Sequence, residues 1–213
     1  DNSGSSTVGH GLGKTAEFVA IKNRADSANW QVKHKNNSAN ASQSLDATDA
    51  ESSRAGSTNG GIADLSGTTT FGFIAGSAGV PAANGASDAM IAYVWNSVQG
   101  FSKIGSYVAN GNSDNAFIYT GFRPAFVMTK LISASGGGWE IVDSKRDGYN
   151  GENNRLYPND TAAEGTGNDY DLLSNGFKVR QSGGSQQNGR TNIYIAFAEA
   201  PFVNSKGVPC NAR

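Results

Sequence analysis

Cysteine is nearly missing from this chain of 213 residues, and the single one, Cys210, has no partner for an internal disulfide. The fold must be held by burial and sheet hydrogen bonds, as expected of a protein assembled in a reducing cytosol. Histidine is as scarce, with only His10 and His34. A zinc site needs three or four well-spaced ligands, which these residues do not supply. A serine hydrolase needs a positioned base beside its nucleophile, and the chain has no Gly-x-Ser-x-Gly elbow. No metal, no cofactor and no enzymatic activity are therefore expected. Charge is sparse too, at 16% of residues with a net value of −1, and its lysines and arginines stand singly. That pattern lacks the basic footprint a phosphate backbone requires, so nucleic acid is not an expected partner. The longest apolar run, residues 89–95, is far short of the roughly 20 residues of a membrane-spanning helix, and a membrane is not expected either.

Glycine fills much of the deficit. There are 28 of them, accompanied by many Ser, Asn, Thr and Ala. Gly and Asn tolerate positive φ, while Ser and Asn satisfy turn backbone locally, so this mixture suits short strands joined by tight turns. Segments 117–119, 125–132, 139–143, 176–181 and 191–199 are rich in β-branched or aromatic residues and are bounded by turn clusters, the mark of strands. No segment keeps helical apolar spacing over a useful length. Thr48 and Glu51 have capping-box spacing, but residues 48–54 and the related 160–164 read as turns, or at most a single helical turn.

One pattern occurs twice. Gly11-Leu12, then Phe18-Val19-Ala20-Ile21 ending in Lys22, then Trp30 and Val32 are answered by Gly121-Phe122, then Phe126-Val127-Met128-Thr129 ending in Lys130, then Trp139 and Val142. Further on, Leu45 with Glu51 matches Leu156 with Glu164, Phe71 and Phe73 match Phe177 and Val179, and Asn84-Gly85 matches Asn188-Gly189. Last, Ile91-Ala92-Tyr93 is set against Ile195-Ala196-Phe197, which places Trp95 opposite Glu199. Order is kept throughout, as duplication requires. The expectation is an all-β fold of two tandem homologous β-sandwich repeats, jelly-roll-like, covering residues 1–107 and 108–213. They form either two related sandwiches or one pseudo-symmetric body.

Candidate sites are few. Gly9-His10-Gly11-Leu12-Gly13-Lys14-Thr15 resembles a phosphate loop, but Val8 stands where its first glycine is needed and a strand follows. Asn110, Asn112 and Asp114 have alternate spacing but lack the glycine and glutamate of an EF-hand. Glu140 with Asp143, or Asp169 with Asp171, could act as paired acids, though solvated loop carboxylates are the plainer reading. In Trp139-Glu-Ile-Val-Asp143-Ser-Lys-Arg146-Asp147, an Arg146 to Asp143 contact would pin the chain as it leaves a strand above a buried Trp139. Trp95, with Glu199 as counterpart, is the aromatic best placed to stack on a sugar, though core or subunit-interface packing is the plainer reading. Trp30, Trp95, Trp139, Asp143 and Arg146 are thus candidate structural or contact residues.

These pieces, above all Gly121-Phe122-Arg123-Pro124-Ala125-Phe126-Val127, residues 139–147, Leu173-Ser174-Asn175-Gly176-Phe177 and residues 193–199, resemble a repeated domain of tailed-phage virion proteins, marine phages especially. The first repeat carries a degraded version, with His34 where the second has Asp143. The resemblance implies a virion structural role, in capsid decoration or a fibre, with assembly in the host cytoplasm. Its implied partners are capsid or fibre subunits, with the chain itself a homo-oligomer. It names no catalytic residue. The alternative function is an adhesin module that binds a host surface glycan.

Overall fold

The computed structural model describes residues 6–53, 60–74, 88–146, 150–151, 154–167 and 169–201. Asn84, Gly85, Asp147 and Cys210 lie outside them. The described chain is all-β, with antiparallel pairing throughout and a single 3₁₀ turn at Gly184–Gln186.

Two compact units meet in sequence at Asn96 and Ser97. The first contains β1 (Ser6–Gly9), β2 (Phe18–Asn23), β3 (Gln31–His34), β4 (Ala41–Ser44), β5 (Ser52–Ser53), β6 (Gly61–Asp64), β7 (Thr70–Ile74) and β8 (Met90–Trp95). They form a three-stranded sheet, β1-β7-β6, and a five-stranded sheet, β5-β4-β3-β2-β8. The second contains β9 (Ser102–Val108), β10 (Phe117–Tyr119), β11 (Pro124–Leu131), β12 (Trp139–Asp143), β13 (Arg155–Leu156), β14 (Tyr170–Leu173), β15 (Gly176–Val179) and β16 (Thr191–Ala198). Its sheets are β10-β15-β14 and β13-β12-β11-β16-β9. In each unit one apolar cluster joins the two sheets. Ile62, Phe71 and Phe73 meet Val19 and Ile21 in the first, and Ile118, Leu172 and Phe177 meet Val127, Tyr194 and Ala196 in the second. That is sandwich packing, with inner faces interdigitated.

Strand order is the same in both units: β1-β7-β6 corresponds to β10-β15-β14, and β3-β2-β8 to β12-β11-β16. Matching residues also share register. Phe18 pairs with His34 as Phe126 pairs with Asp143. Lys22 and Lys130 both turn their ammonium groups into the hairpin that follows, Lys22 donating to the carbonyls of Asn23, Asp26 and Ala28 and Lys130 to that of Gly137 at 2.6 Å.

Two details of the sequence reading are corrected. The boundary expected after residue 107 falls at the end of β9, and β9 belongs wholly to the second unit because it pairs with β16 from Phe197↔Ser102 to Thr191↔Val108. The alignment of the last strands is also moved by two positions. Phe18 pairs with Trp95 and Phe126 with Phe197, so Phe197, not Glu199, is the counterpart of Trp95. Both are aromatic neighbours of the equivalent phenylalanine, with ring centroids 5.6 Å apart for Phe18–Trp95 and 5.8 Å for Phe126–Phe197.

The capping-box residues do not start a helical turn. Glu51 instead holds the β3–β4 hairpin, accepting from the Ser38 amide and hydroxyl and from Asn37, and the chain runs extended into β5. Residues 160–164 are likewise irregular.

The second unit's five-stranded sheet is buried on both faces. Val127, Thr129 and Tyr194 face the sandwich core, yet Ile104, Lys130, Trp139, Ile193 and Ile195 on the opposite face are buried as well. Burial on both sides explains why β16 reads as a continuous apolar run rather than a strict alternation.

Glycine is sterically required at one ladder position. A Cβ at Gly176 would sit on the Ile118 carbonyl oxygen of β10, a backbone atom with nowhere to move. Gly176→Ala is expected to lower stability by about 1–3 kcal/mol, the usual range for overpacking. Denaturant titration checks this, and an unchanged midpoint would mean that β10 does not sit so close.

Candidate functional site

β12 shows why the acid pairs offered by the sequence do not form. Side chains alternate along a strand, so Glu140 and Val142 point to the core while Trp139, Ile141 and Asp143 point the other way, as their partners across the ladder confirm. Glu140 and Asp143 are therefore on opposite faces. Asp169 and Asp171 also part company: Asp171 accepts from Arg180 Nε at 2.5 Å, and Asp169 pairs with Arg155.

Glu140 and Asp169 instead converge on Arg155, a pairing that no spacing in the sequence announces. Arg155 Nη1 lies 3.7 Å from Glu140 Oε1 and contacts Asp169, while its Nε donates to the Tyr157 hydroxyl at 2.7 Å. The Tyr170 hydroxyl donates to Glu140 Oε2 at 2.8 Å and lies 3.0 Å from Thr129 Oγ1. Gln186 links the Tyr170 and Tyr107 hydroxyls. Burial pushes the Glu140 carboxyl above its ordinary range, further than Arg155 and the Tyr170 hydrogen bond pull it back. Burial also pushes up the Tyr107 and Tyr170 hydroxyls. The equivalent of Glu140 in the first unit is Gln31, facing Ile21 as Glu140 faces Thr129. It is a neutral amide in contact with Ser42 and Ser44.

Arg146 takes Asp143 Oδ2 at 2.8 Å through Nε and Glu164 Oε1 at 2.8 Å through Nη1. Asp143 Oδ1 accepts from the amides of Lys145 and Arg146, so the carboxylate closes the turn leaving β12. Trp139 is 1% exposed, and its amide donates to Asn159 Oδ1 at 2.6 Å.

In the first unit a cleft of about 450 Å³ is lined by Glu17, Lys33, Lys35, Asn37, Asp64 and Ser66 among others. Its ionic groups are engaged with protein. The Lys33 ammonium, whose pKa burial lowers, donates to the carbonyls of Ser38 and Ala41. Lys35 pairs with Glu17 at 3.1 Å. Hydrogen bonds from Ser66 hold the Asp64 carboxyl below its ordinary range. The Asn110 to Asp114 segment is a turn, with Asn110 Oδ1 accepting from the Asn112 amide and Asp114 bridging Lys178 and Arg180. Among the described residues no group of three or more His, Cys, Asp and Glu side chains is placed to hold a metal ion.

A row of aromatic rings lies on the first unit's five-stranded sheet. Trp30 stacks with Tyr93 at 6.1 Å and Tyr93 with Trp95 at 6.0 Å. Trp95 meets Phe18 edge-on, and Phe18 meets His34. Tyr93 is 44% exposed, whereas its counterpart Ile195 is 3% exposed. The register pairs Tyr93 with Ala20, which alternation along the sequence could not do.

A family model described as a domain of unknown function, DUF7483, matches residues 1–201. The chain belongs to that family. No curated protein and no solved structure matches it. In this DUF7483 chain the Arg146 and Arg155 pairs tie strand ends and turns to one another. The Trp30–Tyr93–Trp95 row is a stacked aromatic group with one exposed member, Tyr93.

Proposed function

We propose that this DUF7483 chain is a non-enzymatic structural module of a tailed-phage virion surface, in capsid decoration or a fibre, working through protein contacts. The observation that carries this reading is the use made of its polar residues. Arg155, Arg146, Lys33, Lys22 and Lys130 spend their donors on fixing turns and strand ends, while each of two units packs its sheets on an apolar cluster. Each such unit offers sheet faces and edges to neighbours. The resemblance of residues 121–127, 139–147 and 193–199 to virion proteins gives the setting. A cryo-EM reconstruction of the native particle tests it: density for this chain on the shell or along a fibre, with sheet surface covered by neighbours, is expected. A particle lacking the chain would overturn the proposal.

A glycan-binding role is the second reading, favoured by the half-exposed Tyr93 between two tryptophans. Exposed aromatic faces of this kind stack on apolar sugar faces. If it holds, a glycan array probed with the intact chain gives hits that Tyr93→Ala reduces at least about tenfold, the equivalent of roughly 1.4 kcal/mol. Absence of any hit, or hits indifferent to Tyr93, would remove this reading.

A further inference from the structure

The chain carries six Asn-Gly pairs, and the four at Asn110, Asn150, Asn175 and Asn188 fall on described residues. In such a pair the glycine nitrogen has no neighbouring Cβ to shield it, and its attack on the asparagine carboxamide closes a five-membered ring. The attack needs a backbone N–H that is not already in use and a carboxamide that is not held elsewhere. Three of the four pairs fail one of these conditions. Gly176 is a ladder residue opposite Leu173, and the bond from Thr120 N to Asn175 O sets the alternation that turns the Gly176 N–H toward β14. Gly189 N donates to the Ala109 carbonyl at 2.9 Å. The Asn150 carboxamide is gripped at both ends by one backbone unit, its Oδ1 accepting from the Leu172 amide at 2.8 Å and its Nδ2 donating to the Leu172 carbonyl at 3.0 Å.

Asn110 meets both conditions. It is exposed, and the Gly111 N–H, at a residue with φ of 76°, has no hydrogen-bond partner among the described residues. The Asn110 Oδ1 accepts from the Asn112 amide at 2.9 Å, which folds the carboxamide back over the Gly111 peptide. That amide also points at the oxygen on which negative charge develops during attack, the arrangement of an oxyanion donor. The departing nitrogen, Nδ2, donates to the Asp114 carbonyl at 3.2 Å, at the long end of hydrogen-bond distances.

We propose that the Asn110-Gly111 pair is a self-modifying site of the folded chain, at which the Gly111 nitrogen attacks Asn110 Cγ and closes a succinimide. The new N–Cγ bond replaces the Cγ–Nδ2 bond, and Nδ2 leaves as ammonia with the proton given up by Gly111. Water then opens the ring at either carbonyl, leaving aspartate or isoaspartate, so water is the only reagent consumed. Either product loses the Nδ2 donor to the Asp114 carbonyl. Isoaspartate also lengthens the main chain by one methylene, in a place with little room: a Cβ on Gly111 would lie 2.8 Å from the Asn188 amide nitrogen. The lengthened turn therefore presses on the Asn188-Gly189 turn, where Gly189 N and Arg190 O bond to Ala109 at the end of the β9–β16 ladder. The inference is independent of the virion reading, because it concerns the purified chain.

The test is peptide mapping by mass spectrometry after the intact chain has aged in warm, mildly alkaline water labelled with heavy oxygen, beside a sample aged in denaturant. In the folded chain Asn110 is expected to convert at least about tenfold faster than Asn150, Asn175 or Asn188, the ratio that one hydrogen bond's worth of barrier produces. In denaturant the four should convert at similar rates, since only the fold distinguishes them. The label is expected at residue 110, in both aspartate and isoaspartate peptides. Hydrogen exchange of the aged folded chain should show the Ala109 and Gly189 amides less protected than in fresh material, and Asn110→Ser should abolish that loss. Should the serine variant fold poorly, the wild-type comparison of folded and denatured rates still decides. A folded chain in which Asn110 converts no faster than the other three overturns the proposal. So does an Asn110 that stays intact in the folded chain while it converts in denaturant.

Discussion

Trp139→Ala is expected to lower the stability of the second unit by about 3–5 kcal/mol, the loss typical of truncating a buried large aromatic. Trp139 is among the largest side chains that are fully buried, and it pairs across the ladder with Lys130, itself 1% exposed. Truncation would open a cavity beside an ammonium group held by the Gly137 carbonyl, so water entering the space meets a charge as well as apolar walls. The Trp139 backbone is fixed by Asn159 and by its ladder with β11, so the strand itself is held away from the gap. Trp30→Ala is the internal comparison: Trp30 stands in the corresponding position, but it is half-buried, so its truncation should cost less. Urea titration followed by circular dichroism measures both. Equal small effects at the two positions would mean that Trp139 is not a core residue.

The comparison of these two tryptophans shows how far residue types alone could go. Lys22 and Lys130 fall on corresponding ladder positions, opposite Ile91 and Ile193, and Trp30 and Trp139 each stand one residue before the partner of Ile21 or Thr129, so the motif matching agrees with the register at these residues. It slipped where residues are common. Ile91-Ala92-Tyr93 resembles Ile195-Ala196-Phe197 in composition, but the ladders with β2 and β11 place Ile91 with Ile193. A slip of two keeps every side chain on its proper face, so alternation offers no resistance to it. Only the neighbouring strand decides, and the neighbour is far away in sequence. The same holds for β9, whose membership in the second unit comes from β16, a strand more than half a unit further along the chain. The Arg155 cluster was hidden for a related reason. Its members stand on β12, β13 and the approach to β14, and β13 is two residues long, too short to show periodicity.

The second large effect is expected at that cluster. Arg155→Met should destabilise the second unit at neutral pH by about 3–5 kcal/mol, since removing one partner strands the opposing charge in a poorly solvated site. Glu140 is the group most exposed to this loss, because its carboxyl is already raised by burial and Arg155 is the main charge that opposes the rise. A carboxyl whose pKa is higher folded than unfolded binds its proton more tightly in the fold. Its contribution is complete below the unfolded value and is lost as pH rises through the folded one. Without Arg155 the folded value climbs further, so the variant should regain stability relative to the wild type as pH falls from neutral toward the ordinary glutamate value of 4.5. Adding Glu140→Gln isolates the cause. Gln31 occupies the same register position in the first unit as a neutral amide, which makes glutamine the natural uncharged replacement. The Arg155→Met, Glu140→Gln double variant is therefore expected to recover part of the loss and to lose most of its added pH dependence. Chemical unfolding at a series of pH values measures all three chains. A single variant within about 0.5 kcal/mol of the wild type throughout, the range of an ordinary surface substitution, would show that Arg155 does not carry the cluster.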